Sequence, residues 1–198
     1  MLAPPPALAA PVIDTHCHVD MQERGRDGLE PKDPDELIAL AASVGVTKLV
    51  QIGCDVASAR WSVEMAQTRP DVIVGVALHP NEAPRLFESG GQPELDAAYR
   101  VIEELATDPV VRAVGETGLD YFRTEGALRE VQQASFRWHI DLARTLDKTL
   151  VIHDRDAHDD VMGVLTDQGA PNTVVFHCFS GDAAMAQACA ERGWYMSF

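Results

Sequence analysis

Two histidines spaced two residues apart are the first residues of this chain whose types and spacing suit a chemical role. His16 and His18 end a short apolar run that begins at Val12. In an extended strand, side chains at positions i and i+2 point to the same side, so both imidazoles can reach one metal ion. A neutral imidazole is the commonest metal ligand in proteins. The pair alone also fits two surface histidines in a loop, so the prediction of a metal site depends on the rest of the chain.

Further candidate ligands recur where other apolar runs stop. They are His79, Glu116, His153 and His177, which follow the predicted third, fourth, fifth and sixth strands. Glu116 stands between two glycines, a pattern that indicates close backbone packing around an inward-pointing carboxylate. Any one of these residues alone is explained as well by a hydrogen-bonded loop, but their recurrence favours one shared site. His139 in mid-helix and His158 near a helix start are interpreted as structural or exposed.

The elements that must position these residues alternate between strands and helices. The first helix is predicted to start with Asp33 as its N-cap and Pro34 at its first position, and Gly45 stops it. After the strand that begins at Val12, the predicted strands span 47–52, 72–77, 110–114, 149–152, 173–176 and 194–198. The later helices are predicted at 56–68, 93–106, 128–146, 156–168 and 182–192. A polar loop is expected at 20–32.

This alternation predicts an α/β fold with a parallel sheet covered on both faces, because the strands are short, continuous and apolar. An open doubly wound sheet would spread the candidate ligands along a line. A TIM-type (β/α)8 barrel would gather them at the carboxyl ends of its strands, where barrels build their active sites. We therefore predict the barrel, ending here in strand seven and lacking its last part. The small thiols of Cys17 and Cys178, which each follow a candidate ligand, are expected to face the helix layer.

Composition limits the classes of function. The chain has 198 residues and a formal net charge of −15, which argues against a broad electrostatic grip on duplex nucleic acid. Four cysteines without a CxxC motif indicate reduced thiols in a cytoplasmic protein. Residues 1–11 are predicted to form a disordered, Ala/Pro-rich tail before a hydrolase barrel at 12–198. No apolar run approaches the length needed to span a membrane.

Four histidines and one carboxylate exceed what a single ion needs. A carboxylate can bridge two ions, one held by the His-x-His pair and the other by His153 and His177. Two such ions can activate water and stabilise a leaving oxygen. Imidazole-rich ligation favours zinc, manganese or iron over magnesium, although mixed sites tolerate several ions. We therefore expect two divalent metal ions, with Zn, Mn and Mg as the candidates.

Five motifs, taken together, resemble those of the TatD family of metal-dependent hydrolases. They are Ile13-Asp14-Thr15-His16-Cys17-His18, Leu78-His79-Pro80, Gly115-Glu116-Thr117-Gly118-Leu119-Asp120-Tyr121, Ile152-His153-Asp154-Arg155-Asp156-Ala157 and Phe176-His177-Cys178-Phe179-Ser180-Gly181. The match spans residues 12–198 with the motifs in the right order, which makes the set very specific.

The resemblance implies a TIM-type barrel related to the amidohydrolases, with a two-metal site and a deoxyribonuclease activity that typically trims 3′ ends. It implies one metal held by His16, His18 and Glu116, and another held by Glu116, His153 and His177. Glu116, His79 and Arg155 would be the catalytic residues, with His79 and Arg155 lining the substrate pocket. Asp120 is interpreted as structural or as a residue that supports a metal ligand. The expected partner is DNA, as single strands or 3′ ends, and the protein is expected to be a monomer.

The sequence departs from the family pattern at its end. Family members have a further Asp after the eighth strand, a metal ligand that also orients the attacking water, and this chain stops at Phe198. We expect a longer parent chain. Two alternative functions stay open at this point. One is hydrolysis of amide or ester bonds at the same metal site, and the other is a non-catalytic metal-binding fragment.

Overall fold

The computed structural model describes residues 4–20 and 33–198, and within them strands and helices alternate along the whole chain. The strands are β1 Val12–Cys17, β2 Val46–Gly53, β3 Val72–Val76, β4 Val111–Asp120, β5 Thr149–Arg155, β6 Val174–Phe176 and β7 Tyr195–Met196. The helices are α1 Pro34–Ser43, α2 Val56–Ala66, α3 Glu82–Ala106, α4 Leu128–Thr145, α5 His158–Gln168 and α6 Ala183–Glu191. The predicted loop at 20–32 lies outside the described residues, except for Asp20.

The seven strands form one parallel sheet in sequence order, from β1 to β7. Neighbouring strands lie about 4.8 Å apart, so a flat sheet would separate β1 from β6 by about 24 Å. However, the ring of His16 in β1 stacks on the ring of His177, just after β6, with centroids 3.4 Å apart. The sheet therefore curls into the wall of a half-barrel, and the predicted α/β barrel architecture is confirmed.

Side-chain caps explain where two of the helices begin. The carboxylate of Asp33 accepts a hydrogen bond from the backbone N–H of Asp35 at 2.8 Å, and Pro34 opens α1, as predicted. Asp55 and Ser58 form a reciprocal capping box at the start of α2. These caps satisfy backbone N–H groups that a helix start otherwise leaves unpaired.

Helix α3 begins much earlier than the predicted helix at 93–106. It spans Glu82–Ala106 and contains a kink at Gly91, whose φ of 66° lies in the left-handed region that favours glycine. Pro93 follows the kink, at the start of the second helical stretch, where its missing N–H is tolerated. The Gly-Gly-Gln-Pro sequence therefore bends a helix here, whereas the sequence pattern indicated a helix start.

Strand β4 is longer than predicted, so that Glu116 lies inside the strand and does not follow it. The flanking glycines allow this close contact with β5. A Cβ on Gly115 would lie 2.5 Å from Cβ of Val151, and one on Gly118 would lie 2.0 Å from the carbonyl oxygen of His153. The structure therefore agrees with the expectation that the two glycines mark close backbone packing around Glu116.

The centre and the first edge of the sheet differ in burial. Val74, Val76 and Ile152, on β3 and β5, are fully buried. Val12 and Ile13 of β1 are 42% and 55% exposed, although β1 also holds the His-x-His pair. Residues 4–11 are exposed and lack regular structure, but the Leu8 N–H donates to the carbonyl of Val44. Among the described helices, none combines the length and hydrophobicity needed to cross a bilayer.

Candidate metal centre

The His-x-His pair converges as its spacing predicts. Nε2 of His16 lies 3.3 Å from Nε2 of His18. Two nitrogens that each bind tetrahedral zinc at about 2.0–2.1 Å are separated by about 3.3 Å, so this spacing suits a shared ion. Nδ1 of His18 donates to the carbonyl oxygen of Ile52 at 3.1 Å, which leaves the Nε2 lone pair free to bind a metal.

Glu116 lies between two groups of histidines. Its Oε2 is 3.2 Å from Nε2 of His16 and 3.8 Å from Nε2 of His18. Its Oε1 is 2.7 Å from Nδ1 of His153 and 3.8 Å from Nε2 of His79. Burial by itself raises the pKa of Glu116, but hydrogen bonds with His153 and His16 hold that pKa well below its ordinary value. One ionised carboxylate therefore faces both groups, with a different oxygen toward each.

The second group consists of His79, Glu116 and His153, whose candidate ligand atoms lie within 4.8 Å of one another. The sequence and the resemblance instead combine His153 with His177. In the structure His177 stacks on His16, on the side of the first group. The metal-ligand role of His177 stays a prediction.

The hydrogen bonding of His79 identifies its tautomer. Its Nδ1 accepts the backbone N–H of Asn81 at 3.2 Å, so the neutral ring has its proton on Nε2, the nitrogen that faces Glu116. Burial lowers the pKa of His79 to about 4, which keeps the ring neutral at pH 7. In this tautomer His79 is a hydrogen-bond donor in the cleft, a geometry that agrees with its expected position in the substrate pocket.

Asp120 supports His153 from behind. Its Oδ2 accepts from the side-chain amide of Asn81 at 3.0 Å and lies 3.3 Å from Nε2 of His153. Its Oδ1 accepts from the backbone N–H of Arg123 at 3.1 Å, and its own N–H donates to Gln132. Although burial lowers the pKa of His153, the neighbouring carboxylates of Glu116 and Asp120 raise it overall.

The donor set fits divalent cations. Among the described residues, His16, His18 and Glu116 each offer a ligand atom within 4.8 Å of the other two, and so do His79, Glu116 and His153. Imidazole nitrogens beside an ionised carboxylate are a ligand set that suits zinc and related transition metals.

A cleft of about 460 Å³ opens onto these groups at the carboxyl edge of the sheet. Its wall includes His79 and Arg155, both expected in the substrate pocket, together with Arg123. The guanidinium of Arg155 lies over the ring of Phe122 at 3.8 Å. The cleft therefore presents hydrogen-bond donors and cations beside the histidines.

Gln51 is a supporting residue that sequence reasoning missed. It is fully buried in β2, where its Oε1 accepts the N–H of Val19 at 2.9 Å. Its Nε2 donates to Oδ1 of Asp20 at 2.7 Å and to the hydroxyl of Ser62 at 3.3 Å. Gln51 therefore fixes the chain just beyond His18. An isolated amide within the apolar run at 47–52 was the available signal.

Two other expectations have different outcomes. His139 is fully buried: its Nδ1 donates to the carbonyl of Ser135, and its Nε2 accepts the N–H of Leu78. The thiol of Cys17 is half-buried and points toward the carbonyl of Val50. Cys178, which was expected to face the helix layer as a small apolar residue, is instead exposed and has a φ of 46°.

A parallel α/β barrel wall with histidines and one shared carboxylate at its carboxyl edge defines a metal-dependent hydrolase of the TIM-barrel type. The model of the family described as TatD related DNase matches residues 13–198, and the chain belongs to this family.

Similar proteins share this assignment. An uncharacterized metal-dependent hydrolase TatD of Mycobacterium tuberculosis is 42% identical over 94% of this chain and 67% of its own length. A protein named 3′-5′ ssDNA/RNA exonuclease TatD, from Salmonella typhimurium, is 30% identical over 83% of this chain and 60% of its own length. The crystal structure of the TatD homologue YJJV from Escherichia coli K12 has a TM-score of 0.76 at 26% identity, covering 93% of this chain and 66% of its own. The chain thus spans about two thirds of the length of these relatives.

Proposed function

We propose that this hydrolase cleaves phosphodiester bonds in DNA, acting from the 3′ end of single strands with two divalent ions in its centre. The observation that supports this most directly is the position of Glu116, which faces His16 and His18 with one oxygen and His153 with the other. That arrangement suits two neighbouring ions. When bound, such ions supply Lewis-acid stabilisation of the charge that develops on a phosphoryl group.

His16, His18 and Glu116 would hold the first ion, and Glu116 and His153 the second, with His177 retained as a predicted ligand. The ionised state of Glu116 supports this assignment, since its pKa is held well below the ordinary value after the opposing effect of burial. The hydrogen bond from His18 to Ile52 orients that imidazole with its free nitrogen toward the carboxylate.

The chain's own donors provide the substrate contacts. The Nε2–H of His79 is free to donate to a non-bridging phosphate oxygen, because Nδ1 already accepts from Asn81. The guanidinium of Arg155 adds a positive charge at the same cleft, where it can pair with a phosphate. These groups orient the scissile phosphate and oppose its negative charge.

The choice of DNA is supported by the relative named as a 3′-5′ ssDNA/RNA exonuclease. It is also consistent with the net charge of −15, which disfavours broad binding along a duplex but permits one phosphate to bind at a local cationic cleft.

The test is an assay of the metal-reconstituted protein on a 5′-labelled single-stranded oligonucleotide, with a matched carboxylic ester as the second substrate. We expect stepwise shortening from the 3′ end. His79→Ala should lower kcat/KM at least about tenfold, since a hydrogen bond to a charged group contributes about 1.5–3 kcal/mol. Its metal content should stay at the wild-type level.

His158→Gln is the matched control, because His158 bonds to Asp154 and lines a different surface pocket. Cleavage of the ester without cleavage of the oligonucleotide would contradict the proposal. If His79→Ala loses metal in proportion to activity, His79 is a ligand and its proposed role as a donor to substrate is incorrect.

A further inference from the structure

We propose that Phe122, with Arg123 and Arg155, forms a binding subsite for the terminal unpaired nucleobase and its phosphate. The inference rests on the proposed nuclease function, which it extends by assigning the residues that select a single-stranded end. Phe122 follows β4 by two residues, at the carboxyl edge of the sheet, and lies between Asp120 and Arg123, which both line the cleft.

Phe122 is unusually exposed for a residue held so firmly. It is 60% exposed, yet the turn around it is fixed on both sides. The Tyr121 N–H donates to the carbonyl of Arg155, and the N–H groups of Arg123 and Thr124 donate to Asp120. The ring is therefore presented to solvent by a rigid turn, an arrangement that lowers the entropy cost of binding a flat ligand.

One face of the ring is already occupied. The Cζ atom of Arg155 lies 3.8 Å from the centroid of Phe122, within the range of a cation–π contact. The exposed part of the ring and the guanidinium plane are both surfaces on which nucleobases stack in single-strand-binding proteins.

The charges around Phe122 favour an anionic ligand. Within residues 4–20 and 33–198, the guanidinium groups of Arg123 and Arg155 make no hydrogen bond or ion pair, and that of Arg155 lies over the ring of Phe122. Carboxylates that line the cleft are already engaged: Glu82 pairs with Arg85, Asp55 caps α2, and Asp120 is hydrogen-bonded within the wall. Two unneutralised cations, one over the ring and one on the next residue along the chain, therefore accompany Phe122 in a protein whose overall charge is −15.

An aromatic surface beside cationic side chains suits a base attached to a phosphate. A base within a duplex is already stacked and paired, so it reaches such a surface only after unstacking. The unpaired base at a strand end has no such cost. The subsite thus favours single-stranded ends over duplex, and its two arginines line the same cleft as His79 and His153.

The experiment is a titration of the protein, in EDTA, with a single-stranded oligonucleotide that has 2-aminopurine as its 3′-terminal base. Stacking quenches the fluorescence of this probe. We expect quenching with wild type and with Phe122→Tyr, and none with Phe122→Leu, which keeps apolar bulk but removes the ring. Phe122→Leu should raise the Kd at least about fivefold, the lower end of what base–aromatic stacking contributes. Phe87→Leu is the matched control, because Phe87 is an exposed phenylalanine that lines a different cavity.

A second oligonucleotide with an abasic 3′ terminus completes the test. Wild type should bind it as weakly as Phe122→Leu binds the intact strand, and Phe122→Leu should bind both strands equally. Equal quenching by wild type and Phe122→Leu, or no binding by wild type, would overturn the subsite. Binding and quenching without cleavage by the metal-loaded protein would overturn the proposed nuclease function and leave the subsite intact.

Discussion

The two groups of side chains around Glu116 are supported in different ways. His16 and His18 lie on β1, an edge strand whose Val12 and Ile13 are largely exposed. His79 follows β3 and His153 lies in β5, two strands whose Val74, Val76 and Ile152 are fully buried. A buried strand is fixed by packing on both faces, whereas the edge pair depends on particular hydrogen bonds.

Those hydrogen bonds come from β2. Gln51 holds Val19 and Asp20, and the carbonyl of Ile52 accepts from His18. His79 and His153, called the central group below, instead rely on helix α4. From this helix, His139 accepts the N–H of Leu78 and Gln132 binds Asp120. The comparison teaches that metal binding by one half of the site can be weakened without an effect on the other half, unless the shared residue Glu116 is changed.

Glu116→Gln should have the largest effect, because it removes the charge that faces both groups. We expect the affinity of both sites for Zn²⁺ or Mn²⁺ to fall at least about a hundredfold, since even residues that only support ligands contribute 10–100-fold. Calorimetric titration measures both affinities. Glu104→Gln, an exposed change on α3, is the control. Loss of binding at one site alone would show that the carboxylate is not shared.

Gln51→Leu should weaken metal binding only at the edge group, which contains His16 and His18. The variant removes the side chain that holds the Val19 N–H and the Asp20 carboxylate. We therefore expect the affinity to fall about 10–100-fold at one of the two sites, the one that contains His16 and His18. The exposed Gln187→Leu is its matched control. An equal loss at both sites in the same titration would remove the distinction between the two groups.

His139 gives the central group a pH-dependent support. Burial lowers its pKa to about 4, whereas the unfolded chain binds this proton with a pKa of about 6.5. Below pH 6.5 the unfolded state therefore binds more protons, and the free energy of unfolding falls as the pH drops toward 4. The full effect is about 3 kcal/mol.

Urea unfolding of wild type and His139→Gln between pH 7 and 4 tests this dependence. We expect a shallower fall in the variant, together with faster hydrogen exchange at the Leu78 amide. Parallel curves for the two proteins would assign the acid sensitivity to other groups.

Asp33→Ala should have the smallest effect, on the helix that covers the edge side of the sheet. Loss of the N-cap hydrogen bond to Asp35 should cost about 1 kcal/mol. For a chain of this size that lowers the Tm by about 2–4 °C. Calorimetric melting should show this shift with metal affinity unchanged, and a concurrent loss of metal would link α1 directly to the edge group.

The sequence predicted the barrel class because apolar runs and polar strand ends repeat with a regular period. Asp33 was predictable as an N-cap because capping depends on residues that are adjacent in sequence, here Asp33 and Pro34. The kink at Gly91 was not, since Gly-Gly and Pro equally mark a helix end and a bent helix. The final length of β4 depends on contact with β5, which no local pattern encodes.

The candidate site was predictable in membership but less so in grouping. His16 and His18 share a strand, so their spacing predicts their contact. His79 and His177 are far apart in sequence, and only the curvature of the sheet decides which of them lies nearer to His153. Phe122 gave no chemical signal, and Gln51 gave only an isolated amide in an apolar run, because an aromatic ring or an amide acquires its role from neighbours contributed by other elements.

The exposure of Cys178 makes it a natural attachment point for a spectroscopic probe. Burial, followed by the nearby Asp14, raises the pKa of Cys17 to about 12, and burial raises the pKa of Cys54 and Cys189 as well. These three thiols stay protonated and shielded near neutral pH, and thiolates are the reactive species. A maleimide dye should therefore label Cys178 selectively, one residue after His177, and report local changes when metal or oligonucleotide is added, without any engineered cysteine.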